Sequence, residues 1–185
     1  MRRLPIASFA IALIVATVAL PLPAPAAATA KTTTQLPRNV RPTHYDIALV
    51  PDAQALTFAG KVSIALEVLE PTASITLNAL DLTIQSARLS GPSNASYPQP
   101  HVQIDDAAQT ATFTFGEKLA KGNYRLDLQY RGKIGTQANG LFAIDYDTAA
   151  GRKRALYTQF ENSDARRMIP SWDEPAPVLD RKSVV

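Results

Sequence analysis

Lys61-Val62-Ser63-Ile64-Ala65-Leu66-Glu67-Val68-Leu69 alternates with a period of two: Val62, Ile64, Leu66 and Val68 on one side, Lys61, Ser63, Ala65 and Glu67 on the other. Successive side chains of an extended chain point to opposite faces, so this run reads as a strand with one face in a core and the other in water. Tyr124, Leu126, Leu128 and Tyr130 repeat the pattern against Asn123, Arg125, Asp127 and Gln129. Shorter candidate strands are Tyr45 to Val50, Ser74 to Leu77, Leu82 to Leu89, Val102 to Asp105, Ala111 to Phe115, Leu141 to Tyr146 and Leu156 to Phe160. Between them stand the turn or breaker pairs Pro51-Asp52, Glu70-Pro71, Gly91-Pro92, Asp105-Asp106, Lys121-Gly122, Arg131-Gly132 and Ala150-Gly151. No stretch after Lys31 carries a helical apolar stripe, and no strand is followed by a helix long enough for a parallel crossover. The pattern predicts an all-β, mostly antiparallel sheet or sandwich. One helical turn is expected around Asn162 or Ser163, either of which can cap it, ending before Pro170.

The ends read differently from the body. Arg2 and Arg3, the apolar run Leu4 to Leu20 and the small-residue patterns Ala26-Ala27-Ala28 and Ala28-Thr29-Ala30 have the three parts of a secretory signal. Residues 1–30 are therefore expected to be a cleaved leader, with export to the periplasm or the extracellular space and no membrane association afterwards. The rival reading, a membrane anchor, is opposed by Pro21, Pro23 and Pro25 and by an apolar run at the short limit for spanning. At the other end, Asp180-Arg181-Lys182-Ser183-Val184-Val185 matches the translation of a common sequencing adaptor followed by a stop codon. Residues 31–179 are thus expected to be one β-domain interrupted near Leu179, and 180–185 an artefact tail. About 150 residues suffice for a single core.

Charge and composition exclude several classes. Of 19 basic and 16 acidic residues, two basic ones are Arg2 and Arg3, so the mature balance is 17 against 16, or +1. Without a basic stripe and interleaved aromatics, no nucleic-acid partner is expected. The absence of cysteine removes disulfides, thiolate nucleophiles and thiolate zinc sites. The two histidines, His44 and His101, lie far apart with no carboxylate at ligand spacing, so the usual three-ligand zinc hydrolase site is not expected here. No serine stands in a Gly-x-Ser-x-Gly elbow and there is no phosphate-binding Gly-rich loop. His44 reads as a histidine bonded to a backbone carbonyl and His101 as solvated.

Chemistry concentrates in Gln159 to Pro175, QFENSDARRMIPSWDEP. A strand delivers Glu161 to the start of a turn, the kind of junction where sites are placed. By its residue type alone it is a solvated acid, a helix cap or an anchor for an ammonium group. Arg166 and Arg167 stand close enough to Asp164 for exposed local ion pairs, worth at most about 1 kcal/mol. Asp105-Asp106 and Asp173-Glu174 point apart as sequence neighbours and read as turn residues rather than acid–base pairs. Trp172 reads as a packing anchor.

These residues resemble a family. Thr158 to Ala176, TQFENSDARRMIPSWDEPA, is similar to the end of the N-terminal domain in zinc aminopeptidases of the aminopeptidase N type, where Gln-x-Glu precedes an Asp-Ala-Arg-Arg cluster and an Asp-Glu-Pro-Ala turn. Leu36 to Asp52 resembles that family's opening Leu-Pro-x-x-x-x-Pro-x-x-Tyr-Asp-Leu stretch, and Asn139-Gly140-Leu141-Phe142 its Gly-Leu-Tyr/Phe strand. Ser171 stands where many members carry Cys and Ile169 where many carry Phe, and after Ala176 the chain diverges. The resemblance implies a saddle-like, largely antiparallel β-domain packed against a thermolysin-like catalytic domain of the same polypeptide. It implies that Glu161 helps bind the free α-ammonium of peptide substrates, with Gln159 lining the pocket for the first side chain.

The family's Gly-Ala-Met-Glu-Asn strand and His-Glu-x-x-His helix do not occur in this sequence. The expectation is therefore a fragment of an exported zinc aminopeptidase, with zinc in the full-length parent, none bound by this chain, no catalytic residue in it, and no activity alone. Two alternatives stand beside it: a self-sufficient, non-catalytic β-module that binds peptide N-termini, and an exported structural β-sandwich.

Overall fold

The computed structural model describes residues 35–92 and 95–174. The leader 1–30, the start at Lys31, the divergence after Ala176 and the tail 180–185 lie outside the described residues.

Nine strands follow in order: β1 (Val40–Asp52), β2 (Thr57–Val68), β3 (Thr72–Asn78), β4 (Leu82–Ser90), β5 (His101–Asp105), β6 (Thr110–Leu119), β7 (Gly122–Lys133), β8 (Gly140–Thr148) and β9 (Gly151–Gln159). Each falls on one of the predicted segments. They form a four-stranded sheet in the order β1-β2-β7-β4, a three-stranded sheet β3-β6-β5 and the hairpin β8-β9. Every strand pair is antiparallel. The fold is all-β, as the alternation requires.

The period of two becomes register. Val62 pairs with Leu128, which pairs with Ala87, and Ile64 pairs with Leu126, which pairs with Leu89. These rows lie on one face of the four-stranded sheet and share a buried cluster with Ile75 and Leu77 of β3 and Ala111, Phe113 and Phe115 of β6. Ile64, Leu126, Leu89, Leu77 and Phe113 are fully buried. Each such side chain contributes about 1.5–3 kcal/mol relative to exposure. The opposite face carries Lys61, Ser63, Asp127, Gln129 and Arg88, with an open concavity of about 840 Å³ above it.

Three local readings need correction. Arg131-Gly132 is not a turn: both residues lie inside β7. Gly132 is glycine because a Cβ there would stand 2.3 Å from Phe58 Cζ, and the Phe58 ring packs edge-on to Tyr130 at 6.3 Å in that space. Pro51-Asp52 ends β1 rather than forming its turn, and the Asp52 carboxylate instead accepts the amides of Gln54 and Ala55 to shape the turn that follows. The helical turn is a 3-10 turn at Ala165–Arg167, whose N-cap is Asp164 with no side-chain cap bond, so neither Asn162 nor Ser163 caps it.

Candidate functional site

Strand β9 ends at Gln159, which faces Gly140 as the last pair of the hairpin ladder. The chain then leaves the sheet, and the Phe160 carbonyl closes a turn by accepting the Asp164 amide at 2.9 Å. Glu161 sits in this turn. Its carboxylate is exposed and has no hydrogen-bond or ion-pair partner among the described residues, and it does not cap the 3-10 turn. Gln159 is exposed as well, and its Oε1 accepts the Glu161 amide at 3.2 Å, so the two expected site residues adjoin. The Glu161–Asn162 peptide is cis.

Behind the turn is a polar network that local reading missed. Arg166 is not on the surface: it is 4% exposed. Its Nε donates to Asp173 Oδ2 at 3.0 Å, its Nη2 to the Asp173 carbonyl at 2.6 Å and its Nη1 to Gln109 Oε1 at 3.1 Å. Arg167 does pair with Asp164, Nε to Oδ1 at 2.8 Å, and its Nη1 also reaches the Asp81 carboxylate on the β3–β4 connection. The adjacent acids of Asp173-Glu174 do point apart, but each has a task beyond the turn. Glu174 accepts the Leu36 amide at 2.8 Å across 138 residues of sequence. The neighbouring acids and arginines of the segment were the available signal, but which arginine is buried depends on contacts with Gln109 and Leu80 in the β5–β6 and β3–β4 connections.

Around this network the segment 165–174 is strapped to the core. Buried Asn78 exchanges backbone hydrogen bonds with Ser171, and its side-chain oxygen accepts the Asp173 amide at 3.2 Å. Trp172 packs against the core, as expected, and its amide donates to the Tyr45 hydroxyl at 3.2 Å. Burial pushes the Tyr45 hydroxyl up to about 12, against the opposing effect of that hydrogen bond. On the hairpin, the Arg154 guanidinium forks onto Asp145 at 2.6 and 2.8 Å and holds its carboxyl below the usual range.

The histidines are not gathered. His44, in β1, is exposed with Nε2 3.2 Å from Asp46 Oδ1, so its partner is a carboxylate rather than the expected backbone carbonyl. His101 opens β5 in the other sheet and is exposed. Among the described residues no three His, Cys, Asp or Glu side chains come together in a way that could hold a metal ion. The 840 Å³ concavity includes neither Gln159 nor Glu161. An exposed carboxylate and amide at the end of the β8–β9 hairpin can anchor a cationic group.

Residues 41–178 match the family described as the Peptidase M1 N-terminal domain. Over 143 residues the chain is 42% identical to "Aminopeptidase N" of Acetobacter pasteurianus, covering 77% of this chain and 39% of that protein. It is 36% identical over 149 residues to "Aminopeptidase M1" of Arabidopsis thaliana, covering 79% of this chain and 17% of the relative. It is 35% identical over 142 residues to "Aminopeptidase 2" of Candida albicans, covering 76% of this chain and 15% of the relative. The chain thus spans well under half the length of these curated relatives.

Proposed function

Because this chain belongs to the peptidase M1 N-terminal domain family, we propose that it is the substrate-anchoring β-domain of an exported zinc-dependent aminopeptidase, holding the free N-terminus of peptides through Glu161. The observation that carries the reading is the placement of Glu161. Its carboxylate stands exposed, without an internal partner among the described residues, at the mouth of a paired hairpin with Gln159 beside it.

An α-ammonium placed against this carboxylate makes charge-assisted hydrogen bonds, which are about twice as strong as neutral ones. A blocked N-terminus has no charge to offer and leaves the carboxylate unpaired as the site closes, which gives an exopeptidase its selectivity. Gln159 lies one strand position from the turn and lines the space for the first side chain. The family's zinc would supply an activated water; the described residues gather no donor set that fits it, so no step is assigned to metal held here.

The test is a chimera in which residues 41–178 replace the corresponding segment of the Arabidopsis relative, assayed with a leucine arylamide. Glu161→Gln is expected to raise KM for the free-amine substrate by roughly 10- to 100-fold, the loss expected for a hydrogen bond to a charged group. An unchanged KM overturns the reading. The isolated chain, incubated with zinc and the same substrate, is expected to show no turnover.

A further inference from the structure

The turn that carries Glu161 is held at both ends by contacts with other parts of the fold. At its start Gln159 pairs with Gly140 across the hairpin. At its end the Asp164 carboxylate accepts a hydrogen bond from Arg167 Nε at 2.8 Å, and the other arm of Arg167 reaches Asp81, 86 residues earlier in the chain. Arg167 also lies directly over Gly140. A Cβ at Gly140 would stand 2.8 Å from Arg167 Cβ and 3.4 Å from the Asp164 carbonyl oxygen, and Gly140 has φ +61°, a conformation glycine adopts without steric cost. The series Asp81, Arg167, Gly140, Gln159 therefore ties an exposed turn to two separate parts of the fold.

Partly exposed ion pairs of this kind add little to folding stability. Their effect here is directional. The planar guanidinium has donors in a fixed fork, so one arm on Asp164 and another on Asp81 set the orientation of the turn, which a single-point ammonium on a flexible stem would not do. Resting on the reading of Glu161 as the ammonium anchor, we infer that Arg167 and Gly140 are positioning residues that aim the Glu161 carboxylate without touching the substrate.

In the chimera described above, Arg167→Lys and Gly140→Ala are each expected to raise KM for leucine arylamide roughly tenfold while kcat changes by less than about twofold, because misplacing a binding group by about 1 Å costs recognition steeply. Asp81→Asn, at a side chain 59% exposed, should give a smaller rise in the same direction with an unchanged melting temperature. The decisive readout is the ratio of inhibition constants for leucinamide and its 2-hydroxy analogue, which lacks the ammonium. All three variants should bring this ratio toward one, whereas a merely structural defect would weaken both inhibitors alike.

If Glu161→Gln collapses the ratio and the three variants leave it unchanged, the positioning role fails and the anchor stands. If Glu161→Gln leaves it unchanged, both fail. A second measurement needs no chimera: in the 185-residue chain, Asp81→Asn should shift the amide NMR resonances of Phe160 to Asp164 and leave those of β1, at the far edge of the sheet, in place. Turn resonances that do not move overturn the inference.

Discussion

Arg166, 4% exposed, is clasped by Asp173 seven residues downstream, with Nε donating to Oδ2 at 3.0 Å and the Arg166 amide donating to the same oxygen at 3.1 Å. Removing one member leaves a buried guanidinium without its counter-charge, a change that costs about 3–5 kcal/mol. Asp173→Ala is expected to lower stability by that amount in urea unfolding, and the double change Arg166→Met with Asp173→Ala, which removes both charges, by clearly less. Equal losses for the two variants would show that packing, and not the ion pair, holds this segment.

Tyr45 makes the alkaline limb of stability specific. Its hydroxyl ionises near 10 in the unfolded chain and at about 12 in the fold, chiefly because it is buried. A group whose folded value is raised contributes stability that is complete below the unfolded value and lost as pH rises through the folded one. The loss therefore runs from about pH 10 to about pH 12, with a slope of up to about 1.4 kcal/mol per pH unit. Tyr45→Phe should cost about 1 kcal/mol at pH 7, where the Trp172 amide loses its acceptor, yet fall less steeply than the parent protein above pH 10. Parallel curves over that range would contradict the assignment.

The strands were legible because burial of one face imposes a period of two on the residues that form it, and Val62 to Val68 and Tyr124 to Tyr130 both obey it. Partner choice was not. Nothing in Leu82 to Ser90 says that it pairs with β7 rather than with β3, its sequence neighbour, because pairing is settled by cores assembled from distant segments. Gly132 shows the same limit: a glycine after an arginine reads as a turn until Phe58, 74 positions earlier, is seen to occupy the space a side chain would need. At the site, the adjacency of Gln159 and Glu161 followed from the strand ending between them. The burial of Arg166 and the reach of Arg167 to Asp81 did not, since charge is local in sequence and burial is not.

Gly132 and Phe58 also yield a coupling test. Gly132→Ala places a methyl group where the Phe58 ring lies and should destabilise by about 1–3 kcal/mol through overpacking. Phe58→Leu alone should also destabilise, by removing ring contacts with Tyr130. Combined, the two should cost less than the sum of the single changes, because the smaller side chain makes room for the methyl group. Strict additivity in thermal unfolding would mean that the two positions do not share this space.

If Glu161 anchors the substrate N-terminus, recognition depends on a proton that the substrate carries. A peptide α-amine has a pKa of about 7.7–8.0. The ammonium form that pairs with the carboxylate dominates below that value and disappears above it. In the chimera carrying residues 41–178, KM for leucine arylamide should therefore rise as pH increases from about 8 to 9.5. The inhibition constant of a 2-hydroxy analogue, which has no amine to titrate, should stay flat across the same interval. Glu161→Gln should flatten the substrate curve too, because an amide distinguishes ammonium from amine far less strongly than a carboxylate does. A Glu161→Gln chimera that keeps the full pH dependence would place ammonium recognition on another group and leave this carboxylate without the role proposed for it.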